Sequence, residues 1–142
     1  MVHTASPVGR NPNNHEDMIR PAVDGVLAVM KACQKYKVKR VVITSSVAAV
    51  SHPARDDEVD EYDAACWSTP AACEFSAYIK SKTLAERAAW DFNAAAKKKG
   101  EFCVELVTIC PSLIIGEMIG SGDSTSISLV RQVMMGEIPA LP

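Results

Sequence analysis

A tyrosine and a lysine stand four residues apart in the middle of the chain, as Tyr78 and Lys82. On a helix, this spacing places both side chains on one face. A phenol is a weak acid, and a neighbouring ammonium stabilises its phenolate by charge attraction, so the pair could deliver a proton to a substrate. The same spacing also occurs where two side chains simply meet on an exposed helix, so the pair alone does not establish catalysis.

A serine hydroxyl could take part in the same chemistry. Ser46 follows a run of β-branched and apolar residues that indicates a buried strand. Parallel sheets place their sites at the carboxyl ends of such strands, and a hydroxyl there could polarise a substrate carbonyl. Taken by itself, Ser46 fits the capping of a turn equally well.

Alternating helix and strand patterns predict the scaffold that positions these residues. Apolar residues at helical spacing predict helices over residues 16–36, with the regular part beginning near Pro21, over 76–99, with Gly100 as C-cap, and over 126–135. Strands are predicted over 38–44, buried on both faces, and over 102–110, and residues 1–7 resemble the end of another strand. This alternation of predicted strands and helices indicates βαβ crossovers and therefore an α/β fold with a doubly wound parallel sheet.

Composition excludes several classes of protein. The 142 residues are 48% hydrophobic and 23% charged, which fits one globular domain or a part of one. A formal charge of -2 without an arginine-rich stripe argues against nucleic-acid binding. No apolar run approaches the roughly 18 residues that a membrane-spanning helix needs, and no signal peptide is recognisable, so a cytoplasmic location without membrane contact is expected.

The cysteines, histidines and acidic residues do not form a metal site. Five cysteines without a CxxC pair favour reduced, buried thiols that pack. His3, His15 and His52 share no ligand spacing and are expected to be surface or packed histidines. The polar segment 51–70 is predicted to be a long loop, and its acidic residues over 56–61 lack EF-hand spacing, so a solvated loop is favoured over a cation site.

Longer motifs resemble the extended short-chain dehydrogenase/reductase superfamily (the NAD-dependent epimerase/dehydratase family), and within it the dihydroflavonol 4-reductase, cinnamoyl-CoA reductase and anthocyanidin reductase group. The motifs are His3-Thr-Ala-Ser-Pro7, Arg40-Val-Val-Ile-Thr-Ser-Ser46, Cys66-Trp-Ser68, Tyr78-Ile-Lys-Ser-Lys-Thr-Leu-Ala-Glu86 and Leu106-Val-Thr-Ile-Cys-Pro-Ser-Leu-Ile-Ile-Gly116. The resemblance covers nearly the whole chain, and the combination of motifs is highly specific. It implies a Rossmann-like fold.

The resemblance also implies an activity: reduction of an aldehyde or ketone by hydride transfer from NADPH, with NAD as a possible alternative cofactor. In that family the serine polarises the carbonyl, the tyrosine donates a proton and the lysine orders the nicotinamide ribose, roles that fall on Ser46, Tyr78 and Lys82. The cofactor-binding residues that it implies are Thr4, Ala5, Ser6, Ser45, Tyr78, Lys82, Pro111, Ile114 and Ser126. Strand termination is an equally good interpretation of Pro111, and a role away from the cofactor is favoured for Ser126.

The sequence departs from the family pattern in two respects. The glycine-rich GxxGxxG turn that holds the pyrophosphate is absent from the 142 residues. We therefore expect residues 1–142 to be the central and C-terminal part of the dinucleotide-binding domain, with 112–142 entering a substrate lobe, and activity to require the missing N-terminal part. The Asn-Trp-Tyr-Cys-Tyr run of cinnamoyl-CoA reductases reads Glu74-Phe-Ser-Ala-Tyr78 here, and Ser51 replaces an asparagine of dihydroflavonol reductases, so neither plant substrate is predicted.

The same residues are compatible with other functions. The chain could be a dinucleotide-binding or interaction protein without turnover, although such a protein needs no proton donor. Sugar-nucleotide epimerases and hydroxysteroid dehydrogenases of the same superfamily use the same three residue types. Nothing in the sequence indicates an oligomeric state, and the expected partner is a small carbonyl compound.

Overall fold

The computed structural model describes residues 1–8, 12–51, 62–63, 65–117, 120 and 124–138. Most of the predicted loop 51–70, including its acidic residues, lies outside these ranges. The chain divides into two compact units, Met1–Pro111 and Ser112–Pro142. The sheet and its two long helices belong to the first unit.

The first unit is built around a parallel sheet. Its elements are β1 (Val2–His3), α1 (Glu16–Lys35), β2 (Arg40–Thr44), a 3₁₀ turn (Val47–Ala49), α2 (Pro70–Phe75), α3 (Ala77–Lys98) and β3 (Glu105–Ile109); α4 (Thr125–Met134) lies in the second unit. The strand order is β1-β2-β3, and Val42 of β2 stands opposite Val2 on one side and Val107 on the other. Parallel neighbours joined through helices confirm the predicted α/β fold.

Two helices cover one face of this sheet. Val26 and Met30 of α1 and Ala89 of α3 pack with Val41, Ile43 and Leu106 in the hydrophobic core. Side chains alternate between the two faces of a strand, so Arg40 and Thr44 point away from these helices and are exposed or half-buried. The prediction that the second strand is buried on both faces is therefore wrong within residues 1–111: burial there is confined to the face that α1 and α3 cover.

Helix α1 begins where it was predicted, but its regular part starts before Pro21. Its first residue is Glu16, whose backbone N–H donates to the Asn14 side-chain oxygen at 3.1 Å, and Pro21 lies inside the helix rather than at its start. Proline lacks an N–H, so the helix loses one backbone hydrogen bond at this point. Met18 and Ile19 are buried before the proline, and their burial favours the extra turn.

Helix α3 has a defined cap at each end. The Ser76 hydroxyl oxygen accepts from the Ile79 backbone N–H at 3.3 Å, and this cap separates α3 from the short helix α2, which the sequence did not predict. After Lys99, Gly100 has a φ of +68°, the left-handed conformation that ends helices, as predicted. Near this end, the Asn93 side chain donates to the Val104 carbonyl at 2.8 Å and accepts from the Val104 N–H at 3.1 Å.

All five cysteines are free thiols. Cys33 and Cys73 are buried, as expected, whereas Cys66, Cys103 and Cys110 are only half-buried. The prediction of buried, packing cysteines is therefore right for two of the five.

Core packing around Met30 leads to a stability prediction. Met30 is 0% exposed, whereas Met134 in α4 is 82% exposed. Met30→Ala should lower the free energy of unfolding by about 2–5 kcal/mol because it leaves a cavity. Met134→Ala should change it by less than about 0.5 kcal/mol. Chemical denaturation of both variants measures this difference, and equal stability of the two would contradict the described core.

Candidate active site

The candidate site lies where the parallel strands end. Beyond the ladder of β2 and β3, the Ser45 backbone N–H donates to the Ile109 carbonyl at 2.8 Å, and the Val47 N–H donates to the Pro111 carbonyl at 3.0 Å. Backbone hydrogen bonding between the two segments therefore continues past both strands. Ser46 lies between Ser45 and Val47, the two residues that donate these bonds. The carboxyl edge of the sheet gathers the segment after β2 and the segment after β3, which is the edge where such folds bind ligands.

Ser46 caps the 3₁₀ turn. Its buried side-chain oxygen accepts from the Ala48 backbone N–H at 3.2 Å. The turn is held from outside by Ser68, whose hydroxyl donates to the Ala48 carbonyl at 2.7 Å and whose N–H donates to the Ala49 carbonyl at 2.8 Å. The cap uses Ser46 only as an acceptor, so its O–H can still donate to a substrate oxygen. Turn capping and carbonyl binding are therefore compatible.

Tyr78 and Lys82 meet on α3 as their spacing predicts. The Lys82 ammonium lies 5.7 Å from the centroid of the Tyr78 ring, within the range of cation–π attraction. Lys82 is only 6% exposed, and burial lowers its pKa from the ordinary lysine value. The 3₁₀ turn that follows Ser46 packs against the same helix. Among the described residues, no direct hydrogen bond joins Ser46 to Tyr78.

Lys82 opens onto a cleft at the carboxyl edge. The cleft is lined by residues of the strands and the segments that follow them, of α1 and of α3; they are His3, Ala5, Ser6, Ala22, Val26, Ile43, Thr44, Ser45, Lys82, Ala85 and Glu86. The Ser45 hydroxyl oxygen is buried and faces the Cys110 sulfur, but it makes no well-aligned hydrogen bond within the part of the chain that the structure describes. Because a thiol is only a weak hydrogen-bonding partner, this hydroxyl is suited to a ligand's polar group. Hydroxyls beside one buried cation fit the ribose and nicotinamide part of a dinucleotide.

The predicted cofactor residues divide into four sets. Ala5, Ser6, Ser45 and Lys82 line the cleft together, whereas Tyr78 lies beside Lys82 on α3 and is not one of the described residues that line it. Thr4 is exposed just after β1, and Pro111 is half-buried where its carbonyl accepts from Val47, so strand-end pairing is its observed role. Ile114 and Ser126 belong to the second unit, Ser112–Pro142, and their contact with a cofactor stays a prediction.

Sequence reasoning missed two ionisable residues of the cleft. His3 was expected to be a surface or packed histidine, yet it lines the cleft with Lys82; burial lowers its pKa, and the Lys82 charge lowers it further. Glu86 also lines the cleft and is buried. The signal for Glu86 was its position four residues after Lys82, on the same helix face as the catalytic candidates.

The family model described as 3-beta hydroxysteroid dehydrogenase/isomerase family matches residues 1–137. The chain belongs to this family. Similar curated members of its wider group include an anthocyanidin reductase ((2S)-flavan-3-ol-forming) from Vitis vinifera, 40% identical over 145 residues and covering 96% of this chain. Cinnamoyl-CoA reductase 1 from Arabidopsis thaliana is 41% identical over 139 residues, with the same coverage. Both confirm the resemblance to the dihydroflavonol and cinnamoyl-CoA reductase group.

Solved structures agree with this membership of the 3-beta hydroxysteroid dehydrogenase/isomerase family. Yeast methylglyoxal/isovaleraldehyde reductase Gre2, in complex with NADPH, superposes with a TM-score of 0.78 at 32% identity, over 94% of this chain and 43% of that chain. This likeness confirms the Rossmann-like fold. The chain spans 40% of the length of the Vitis vinifera relative and 38% of the Arabidopsis thaliana relative. In the described ranges, no helix has the length and apolar character needed to cross a membrane.

Proposed function

We propose that this chain carries the catalytic centre of an NADPH-dependent reductase that converts an aldehyde or ketone to an alcohol. The observation that carries the proposal is the buried Lys82 ammonium against the Tyr78 ring, on a helix that also packs against the turn capped by Ser46. The relatives support it, since the two curated proteins described above are named reductases and the yeast structure contains NADPH.

The three side chains divide the work at the carbonyl oxygen. When bound, NADPH supplies the hydride. Ser46 donates a hydrogen bond to the carbonyl oxygen, and Tyr78 donates the proton as negative charge develops there. Lys82 holds a positive charge beside the phenol, which favours release of that proton. Each fixed donor at such an oxygen contributes about 3–4 kcal/mol to stabilising the transition state.

Residues of the cleft are proposed to bind the cofactor. Ser6, Ser45 and Lys82 would hold the ribose and nicotinamide part, with Ala5 beside them. Thr4, Pro111, Ile114 and Ser126 are proposed as further contacts on the strength of the family resemblance. Because the yeast reductase was crystallised with NADPH, we propose NADPH as the cofactor and NADH as the alternative.

The 142 residues contain no glycine-rich turn for the pyrophosphate, so the chain by itself should bind NADPH weakly. Isothermal titration calorimetry of the 142-residue chain should show a Kd well above about 1 μM. Submicromolar binding would contradict the proposal that residues 1–142 are the central and C-terminal part of the cofactor domain, with 112–142 entering the substrate lobe.

Activity is tested in a chimera in which residues 1–138 replace the matching segment of the yeast reductase, which supplies the remaining parts. The chimera should oxidise NADPH in the presence of isovaleraldehyde. A chimera that melts cooperatively and binds NADPH, yet gives no aldehyde-dependent oxidation of NADPH, would overturn the proposed function. Ser46→Ala in the active chimera should lower kcat by about 10²-fold or more through loss of one donor.

Oxidation of a hydroxysteroid is the second candidate function, favoured by the description of the matching family. The same three side chains would then remove a proton from a hydroxyl instead of adding one to a carbonyl. Comparing a 3-hydroxysteroid with NAD⁺ against isovaleraldehyde with NADPH, in the same protein, separates the two.

A further inference from the structure

A buried carboxylate lies beyond Lys82 on α3. Glu86 is 5% exposed, and each of its oxygens accepts one hydrogen bond: Oε1 from the Trp90 ring N–H at 3.3 Å, and Oε2 from the Cys110 thiol at 3.6 Å. A carboxylate out of water is unfavourable unless its oxygens are hydrogen-bonded. These two donors therefore define where the Glu86 carboxylate sits.

The thiol partner belongs to the strand-end segment opposite Ser46. Cys110 directly follows β3, and the residues on either side of it accept the backbone hydrogen bonds from Ser45 and Val47. The Ser46 backbone N–H and the Ser45 hydroxyl face the sulfur and favour its thiolate. The thiol thus touches the Ser46 segment on one side and α3 on the other.

The ionisation of Cys110 suits a hydrogen-bond donor. Burial raises the pKa of the Cys110 thiol above its ordinary value, and the Glu86 charge raises it further. The thiol therefore keeps its proton at neutral pH and gives it to the carboxylate in a hydrogen bond. A protonated thiol is a poor nucleophile, so the role of Cys110 in the site is its hydrogen bond to Glu86.

We propose that Cys110 and Glu86 form a positioning link that sets the distance between Ser46 and the Tyr78–Lys82 pair. The proposal rests on the proposed function, because this distance matters only if the three groups act on one oxygen atom. Glu86 shares the helix face of Lys82, and Cys110 lies between the two carbonyls that accept from the Ser45 and Val47 N–H groups, so the link joins the two halves of the donor set. Both are positioning residues: they act on the carbonyl chemistry through Ser46 and through the Tyr78–Lys82 pair.

Kinetics of the active chimera tests the positioning role. Cys110→Ala should lower kcat by about 10- to 100-fold, the size expected from a displacement near 1 Å. KM for isovaleraldehyde and for NADPH should change by less than about twofold, since no binding contact is removed. Cys110→Ser, whose hydroxyl can still donate to Glu86, should recover most of the lost rate.

Cys103→Ala is the matched control. Cys103 is also half-buried but lies before β3, at the opposite end of the strand from Ser46. Wild-type kcat in Cys110→Ala, an equal loss in Cys103→Ala, or no recovery in Cys110→Ser would each overturn the link.

A second measurement uses the 142-residue chain and needs no turnover. Brief alkylation with N-ethylmaleimide, followed by peptide mass spectrometry, reports the thiolate fraction at Cys110 across pH. The charged group facing the thiol is Glu86 from α3, and the polar groups facing it are Ser45 and Ser46 from the end of β2. Glu86→Gln removes the charge, lowers the thiol pKa and should speed alkylation about threefold or more at a fixed pH. An unchanged rate would overturn the link.

Hydrogen exchange supplies the fold control and separates the two hypotheses. In Cys110→Ala, amide protection at residues 47–49 should fall, while protection of the α1 segment 22–33 stays at the wild-type level. Unchanged protection at 47–49 would overturn the link. If the wild-type chimera is folded but inactive, the proposed function fails, whereas alkylation and exchange still decide whether Cys110 and Glu86 hold the Ser46 segment.

Discussion

Replacing Tyr78 with phenylalanine should remove almost all carbonyl reduction by the active chimera and leave NADPH binding nearly unchanged. The substitution deletes one oxygen and keeps the ring that the Lys82 ammonium faces at 5.7 Å. Because general-acid catalysis contributes about 10²- to 10⁴-fold, kcat should fall by a factor in that range. Aldehyde-dependent oxidation of NADPH measures kcat, and the fluorescence of bound NADPH measures its Kd.

The chain provides a matched control for this experiment. Tyr36 lies beside Lys35, whose ammonium is 5.5 Å from the ring centroid, but this pair is on the surface, with Tyr36 73% exposed. Tyr36→Phe should therefore leave kcat unchanged. A Tyr78→Phe chimera that keeps the wild-type rate, or equal losses in both variants, would refute the assignment of Tyr78 as proton donor.

Removing the Lys82 charge should damage both catalysis and cofactor binding. Lys82→Met keeps the aliphatic stem that packs in the cleft but deletes the ammonium that faces both the phenol and the cleft. We expect kcat to fall by about 10²-fold or more and the Kd for NADPH to rise by about tenfold, since charge stabilisation and ribose contact are lost together. The same two assays measure both effects.

The combined loss of kcat and of NADPH affinity distinguishes Lys82→Met from Tyr78→Phe. The control for Lys82→Met is Lys35→Met, on the surface. A loss of kcat without any loss of NADPH affinity would contradict the proposed ribose contact.

The pH profile of activity gives a further test, because the direction of its shift is predicted. Because burial lowers the pKa of Lys82, the ammonium loses its proton at a lower pH than an ordinary lysine. Activity should therefore decline on the alkaline side below the usual lysine pKa, and Lys82→Arg should move that decline to higher pH.

Local periodicity predicted most of the scaffold. The long helices were expected over 16–36 and 76–99 and lie at Glu16–Lys35 and Ala77–Lys98, because apolar spacing and caps are properties of neighbouring residues. The predictions that were wrong concern features that depend on distant parts of the chain. Apolar runs cannot show which face of a strand a helix will cover, so burial of β2 on both faces was wrong. The regular part of α1 was expected to begin near Pro21 because proline is favoured in the first turn of a helix, but burial of Met18 and Ile19 favours regular helix before it.

The sequence predicted the part of the site whose residues lie close together along the chain. Tyr78 and Lys82 share one helix, so their spacing alone was enough to bring them together. His3 was missed because its position in the cleft follows from the pairing of β1 with β2, which single-sequence patterns do not reveal. The sequence places Glu86 on the helix face of Lys82, but that this face opens onto the cleft follows from the packing of α3 near the strand ends. The contacts proposed for Ile114 and Ser126 come from family resemblance, and both residues lie in the second unit.

The hydrogen bonds between Asn93 and Val104 have a consequence at the far end of β3. The amide side chain bonds both the N–H and the carbonyl of one residue, as a neighbouring strand would. A slip of β3 by one residue would turn Leu106 out of the core and move every later residue by about 3.3 Å. By anchoring residue 104 to α3, Asn93 opposes that slip, so a polar contact remote from the carboxyl edge keeps Cys110 beside the Ser45–Ser46 segment.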